Sequence, residues 1–85
     1  MQIEYKKRFQ KSFKKLSYKT KEQFYARLAV FAIDRFDPML NNHPVDRVFP
    51  GCRSINITGD YRAIFREQSE VVTFVMIGTH SQLYG

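Results

Sequence analysis

The chain has 85 residues, 44% of them hydrophobic and 15% aromatic, and a net charge of +6. That length gives a single domain spanning residues 1–85 with no second core, and the apolar content excludes a disordered chain. No apolar run approaches the roughly 20 residues of a membrane span. The basic, polar N-terminus does not read as a signal peptide, so the expectation is a cytoplasmic protein with no membrane contact. A lone cysteine, Cys52, forms no internal disulfide, which agrees with a reducing compartment. Two His and one Cys, widely spaced, do not make a zinc site, and no cofactor is expected.

The positive charge is concentrated at one end. Residues 1–21 hold eight Lys or Arg against the single acid Glu4, whereas the remainder is nearly neutral. Such a patch attracts polyanions through counterion release, with nucleic acid the commonest partner. A solvated lysine face or an acidic protein segment are the other readings of the same charge.

Residues 2–5, Gln-Ile-Glu-Tyr, alternate polar and apolar and predict a short strand. Phe9, Phe13 and Leu16 then recur at i, i+4 and i+7, placing them on one face of a helix whose opposite face carries Lys7, Lys11, Lys14 and Lys15. Ser17-Tyr18-Lys19 interrupts it. Thr20 followed by Gln23 predicts a capping box for a second helix. Its stripe runs through Phe24, Leu28, Phe31 and Ala32, broadened by Tyr25, Val30, Ile33 and Phe36. Pro38 predicts its end near Asp37.

All three prolines fall within residues 37–51, which read as loop with an extended piece at Val45–Phe49. Cys52–Ile57 alternates, with Ile55 and Ile57 on one face and Ser54 and Asn56 on the other. Thr58-Gly59 predicts a tight turn, because glycine tolerates positive φ. Tyr61–Arg66 continues the alternation, with Tyr61, Ala63 and Phe65 opposing Arg62, Ile64 and Arg66. A second turn at Gln68-Ser69 precedes Val71–Ile77, which is apolar on both faces and predicts a strand covered on both sides. Two helices followed by a three-stranded antiparallel meander, with an N-terminal strand, define an α+β domain in which a curved sheet packs on the helical hairpin. The sheet face bearing Asn56 and Arg62 is left for function.

The chemistry-bearing residues cluster towards the C-terminal third. Arg62 offers a planar, permanently charged fork that matches two phosphate oxygens. His80 follows Gly78-Thr79 in what reads as a polar tail, and histidine exchanges protons near neutral pH. Tyr84 is suited to stacking on a base. His43, in Asn-Asn-His-Pro, is a second candidate acid or base. Together with the basic helix these residues describe a site for RNA strand scission, in which the neighbouring 2′-hydroxyl is the nucleophile and no metal is required. Each has an ordinary alternative: an ion-paired strand arginine, a solvated turn histidine, a core-capping tyrosine.

The His-Pro before the meander, Gly-Asp-Tyr-Arg-Ala-Ile-Phe on its second strand, and Ile-Gly-Thr-His-Ser-Gln-Leu-Tyr at the end resemble the RelE/ParE toxin superfamily. The branch they are most similar to is that of the YafQ-like and RelE/StbE-type mRNA interferases of bacterial type II toxin–antitoxin modules. The resemblance implies a RelE-like fold and a ribosome-dependent, metal-independent endoribonuclease that leaves a 2′,3′-cyclic phosphate. It implies a cognate antitoxin as partner, the ribosome and mRNA as targets, and operator DNA bound only through the antitoxin. Carried over by position, the catalytic candidates are His80, Arg62, Tyr84, His43 and Asp60, and the RNA-binding candidates are Lys7, Lys11, Lys14, Arg53 and Tyr61. This chain departs from the pattern at Asn56, where YafQ-like proteins commonly have a second histidine, and at Tyr61, where they have tryptophan. Two other functions fit the same resemblance: a ParE-like, non-enzymatic inhibitor of DNA gyrase, and an inactive homologue acting as a binding or regulatory protein.

Overall fold

Strand β1 (Gln2–Tyr5) leads into helices α1 (Lys7–Lys14) and α2 (Tyr18–Ile33), and a 3-10 turn at Pro38–Leu40 follows. Strands β2 (His43–Pro44), β3 (Arg53–Asn56), β4 (Tyr61–Gln68) and β5 (Val71–Thr79) come next, and helix α3 (His80–Tyr84) closes the chain. The computed structural model describes all residues, 1–85. The strands form one sheet in the order β1-β5-β4-β3-β2, with β1 parallel to β5 and every other pair antiparallel. This is the α+β class expected, with an additional strand and an additional helix.

The helices differ from expectation mainly at their ends. Phe9 of α1 is buried, and Phe13 and Leu16 pack against the same core. Helix α2 opens three residues before the expected Thr20 cap: the Ser17 hydroxyl accepts from the Thr20 N–H at 3.2 Å. Ser17 is itself a good N-cap, so it takes the role first. The helix stops at Ile33 rather than near Asp37, because Asp34 turns extended (φ −151°, ψ 106°) and its carboxylate accepts from the Phe36 N–H. Asp37 then caps the 3-10 turn through Met39 N–H. The apolar stripe of α2 is narrower than expected: Phe24 and Phe31 are buried, whereas Tyr25, Ala32, Ile33 and Phe36 are exposed.

The turns also carry a correction each. Gly59 does not adopt positive φ. The β3–β4 turn is held instead by Thr58, whose hydroxyl accepts from the N–H groups of Asp60 and Tyr61 at 3.2 and 3.0 Å. In the β4–β5 turn it is Ser69 and Glu70 that adopt positive φ, 49° and 67°, the arrangement that matches the right-handed strand twist. The extended piece expected at Val45–Phe49 is displaced to His43–Pro44. Val45–Phe49 turns instead, Val48 and Phe49 both donating to the Val45 carbonyl.

The main core lies between the helices and one sheet face, where Phe9, Phe24 and Phe31 meet Ile55, Ile57, Ala63, Phe65, Val72, Phe74 and Ile77. Its rings pack mostly edge-on or tilted, for example Phe31 on Phe65 at 5.1 Å and 84°. Each such side chain contributes about 1.5–3 kcal/mol by leaving water. Phe74 and Ile77 share this face despite their odd spacing. The register slips between Ile64 and Phe65, leaving Val75 without a partner on β4. An extra residue in one strand flips the alternation, and the bulge thereby keeps both apolar runs of β5 buried.

The opposite face was expected to be left open for function, and only part of it is. Cys52, Ile64 and Leu83 form a second small core there, with Phe49, Val75, Met76 and Tyr84 packed against it. Burial raises the Cys52 thiol above its ordinary pKa, Arg66 and Asp46 having smaller opposed effects. What stays open is the end of this face at the β3–β4 turn.

Candidate active site

Strand parity decides which side chains reach the open end. His43 pairs with Ser54, Asn56 with Arg62, and Arg62 with Gly78, so these residues leave the sheet on one face. Helix α3 then folds back over β5. Its start is fixed by a capping box in which Thr79 Oγ1 accepts from the Gln82 N–H at 3.2 Å and Gln82 Oε1 accepts from the Thr79 N–H at 2.8 Å. His80 and Tyr84 are therefore on a helical turn rather than in a loose tail. Their i, i+4 spacing puts them on one face, with ring centroids 4.9 Å apart, while Leu83 anchors the other side in the small core.

A cavity of about 460 Å³ forms where these elements meet. Four of the five catalytic candidates line it: His43 from β2, Arg62 from β4, and His80 and Tyr84 from α3. Asn41, Asp46, Arg47 and Ser54 also contribute. The position of Arg47 in a Pro-rich loop and the buried setting of Ser54 gave no sequence signal beyond strand parity for the latter.

The side chains are held in definite states. His43 Nδ1 lies 2.7 Å from the Asn41 carbonyl oxygen. A carbonyl only accepts, so Nδ1 carries a proton, and Nε2 is the nitrogen left facing away from this bond, with a lone pair whenever the ring is neutral. Asn41 itself adopts the left-handed conformation (φ 47°, ψ 50°) that turns its carbonyl to this position. Arg62 Nη1 donates to the carbonyls of Thr58, Gly59 and Tyr61 at 2.9, 3.2 and 3.0 Å. No carboxylate neutralises it; the single ion pair of the chain joins Arg35 and Glu67 elsewhere. Tyr84 is braced edge-on by Phe49 at 6.3 Å. Two buried polar atoms on this face lack partners, Ser54 Oγ and Asn56 Oδ1, each of a kind that costs about 1–3 kcal/mol when left unpaired.

The remaining candidates lie elsewhere. Asp60 is exposed and lines a separate cleft between the β3–β4 turn and the start of α2, together with Tyr61. Arg53 leaves β3 on the helix face, where Nε donates to Asn42 Oδ1 at 2.7 Å and the guanidinium lies 5.4 Å from the Phe36 ring. Lys7, Lys11 and Lys14 are exposed and line one shallow groove along α1. No group of three or more His, Cys, Asp or Glu residues is arranged to hold a metal ion, and no helix is long and apolar enough to cross a membrane.

The fold has well-matched relatives. YafQ from E. coli superposes with a TM-score of 0.76 at 22% identity, covering 98% of this chain and 97% of its own. The toxin in the E. coli DinJ–YafQ complex gives 0.74 at 23% identity with the same coverage of both chains. A YoeB/ParE toxin from Agrobacterium tumefaciens gives 0.76 at 13% identity, covering 94% of this chain and 99% of that one. No curated protein sequence matches significantly. The family model described as the bacterial toxin of the type II toxin–antitoxin system, YafQ, matches residues 1–85. The chain thus belongs to the YafQ family of type II toxin–antitoxin toxins, over its whole length.

Proposed function

We propose that the chain is a ribosome-dependent mRNA endoribonuclease, kept inactive by a cognate antitoxin protein. The observation that carries this reading is the convergence of His43, Arg62, His80 and Tyr84 on one cavity from three separate elements. Two imidazoles and an unneutralised guanidinium can supply the proton transfers and the charge stabilisation that phosphodiester cleavage by a 2′-hydroxyl needs.

In this mechanism His43 Nε2 accepts the 2′-hydroxyl proton as the 2′-oxygen attacks phosphorus. The bond from phosphorus to the 5′-oxygen breaks, and protonated His80 gives its proton to that leaving oxygen. The products are a 2′,3′-cyclic phosphate and a 5′-hydroxyl. Arg62 neutralises charge gathering on the phosphorane oxygens, and Tyr84 stacks on an adjoining base. Asn56, beside Arg62 in register, contributes hydrogen bonding rather than proton transfer. Partnership with an antitoxin follows the E. coli relative, which is found in complex with DinJ.

Expression of the chain alone should arrest growth, and mapping mRNA 5′ ends on translating ribosomes should reveal new cuts within codons. Replacing His80 or His43 by Ala should slow cleavage by about 10²–10⁴-fold, as expected for loss of one general acid or base, and should relieve the arrest. Intact mRNA accompanied by DNA damage would instead support gyrase inhibition.

A further inference from the structure

Ser54 is 1% exposed, lines the cavity, and has no hydrogen-bond partner for its hydroxyl. It faces His43 across the β2–β3 pair. A buried serine normally finds a nearby carbonyl or side chain, and here none is within reach. Above it, on the turn between β2 and β3, Arg47 lines the same cavity and is exposed. It makes no ion pair, because the only one in the chain is Arg35–Glu67. The cavity wall also carries one carboxylate, Asp46, of which one oxygen accepts from the Gly51 N–H at 3.0 Å. The cavity wall therefore contains an unpaired hydroxyl, covered in the free chain, and a second guanidinium without an ion pair, beyond those that the cleavage chemistry employs.

We propose that Ser54 and Arg47 are phosphate ligands of this cavity, making it a seat for two successive phosphates of a polynucleotide strand. On binding, the Ser54 side chain turns so that its hydroxyl, covered in the free chain, donates to a non-bridging oxygen of the phosphate held by Arg62. Arg47 takes the adjoining phosphate at the mouth, where its long side chain remains in solvent and is free to follow the backbone. This extends the nuclease reading by naming two binding residues of the same site, but it concerns binding alone and is tested without cleavage.

The experiment measures binding of a short single-stranded 2′-deoxy oligonucleotide, which cannot be cut by 2′-hydroxyl attack, across a series of salt concentrations. Ser54→Ala should weaken binding about ten-fold, as for loss of a donor to a charged group, with the salt slope unchanged. Arg47→Ala should weaken it at low salt and reduce the slope of log K against log salt by about 0.7, one phosphate contact on a single strand. Ser54→Ala should also unfold at or above the wild-type temperature, since it removes an unpaired buried hydroxyl. A destabilised Ser54→Ala would mean that the hydroxyl serves the fold, and would overturn its role as ligand. Wild-type affinity in both variants, or no binding by the wild-type chain at any salt, would overturn the two-phosphate seat, while loss of mRNA cleavage in His80→Ala would leave the nuclease reading standing. The converse result, weakened binding in both variants with no mRNA cleavage by the wild-type chain, would support the seat and remove the nuclease.

Discussion

Arg53 and Arg62 sit on neighbouring strands and read alike in the sequence, yet parity gives them different surroundings. Arg62 shares a face with His43 and Gly78, whereas Arg53, opposite Phe65, shares the helix face with the main core and finds Asn42 and Phe36. The alternation of Ile55 and Ile57 was sufficient to separate the two faces. The destination of each guanidinium was not legible, because it depends on the loop carrying Asn42 and on the carbonyls exposed by the β3–β4 turn. The same holds for Tyr5, which reads as a strand residue and is in fact stacked on Phe74 at 5.9 Å and close to Phe9 and Phe24. Burial raises its phenol above the ordinary pKa, with Tyr25 adding to the effect. A raised pKa means that the folded chain holds the proton more tightly than the unfolded one. Tyr5 therefore contributes stability that is complete below about pH 10 and is lost as pH rises through the folded value. Denaturant titrations between pH 9 and 11 should show a fall in stability that is smaller in Tyr5→Phe, and equal slopes in the two proteins would refute this.

At the level of elements, segments with a readable period were legible, down to the four residues of β1, and those without one were not. The alternation of β3 and β4 and the two-faced apolar run of β5 follow directly from residue order. Strand β2 has two residues and helix α3 has five, too few for either period to register. Both are instead created by tertiary contacts: β2 by pairing with β3, α3 by Leu83 entering the small core. The capping box expected at Thr20 occurs at Thr79 and Gln82 instead, where the same residue types were read as a tail. Gly78 ties this helix to the site. A Cβ on Gly78 would meet Gln82 Oε1 at 3.0 Å and Gln82 Cβ at 3.3 Å. That Oε1 is held by the Thr79 N–H in the capping box, so it has no freedom to retreat. Gly78→Ala should therefore displace α3 and with it His80 and Tyr84. The expected cost is about 1–3 kcal/mol in stability, typical of overpacking, with a larger loss of toxicity than stability-matched variants elsewhere in the core. A Gly78→Ala chain as toxic and as stable as wild type would show that α3 accommodates the methyl group.

Across the whole molecule, the charge asymmetry of the sequence becomes a spatial one. Helix α1 lies along β5 beyond the end of β1, and Ser12, Lys15 and Leu16 line a cleft with Met76 and Gln82. The far end of the cationic helix thus adjoins α3, which carries His80 and Tyr84. Lys7, Lys11 and Lys14 extend the same positive surface away from the cavity without touching it. No carboxylate pairs with them, so their counterions are available for release on meeting a polyanion. This division predicts separable effects. Replacing Lys7, Lys11 and Lys14 together by Ala removes three positive charges from a chain whose net charge is +6. Ribosome association should weaken most at low salt, and the slope of its salt dependence should fall by about two, from three phosphate contacts at roughly 0.7 each. Each exposed position changes stability by no more than about 0.5 kcal/mol. Cleavage sites on ribosomes that do bind should be unchanged, because the residues assigned to the chemistry are untouched. An unaltered salt slope would show that the three lysines are simply solvated.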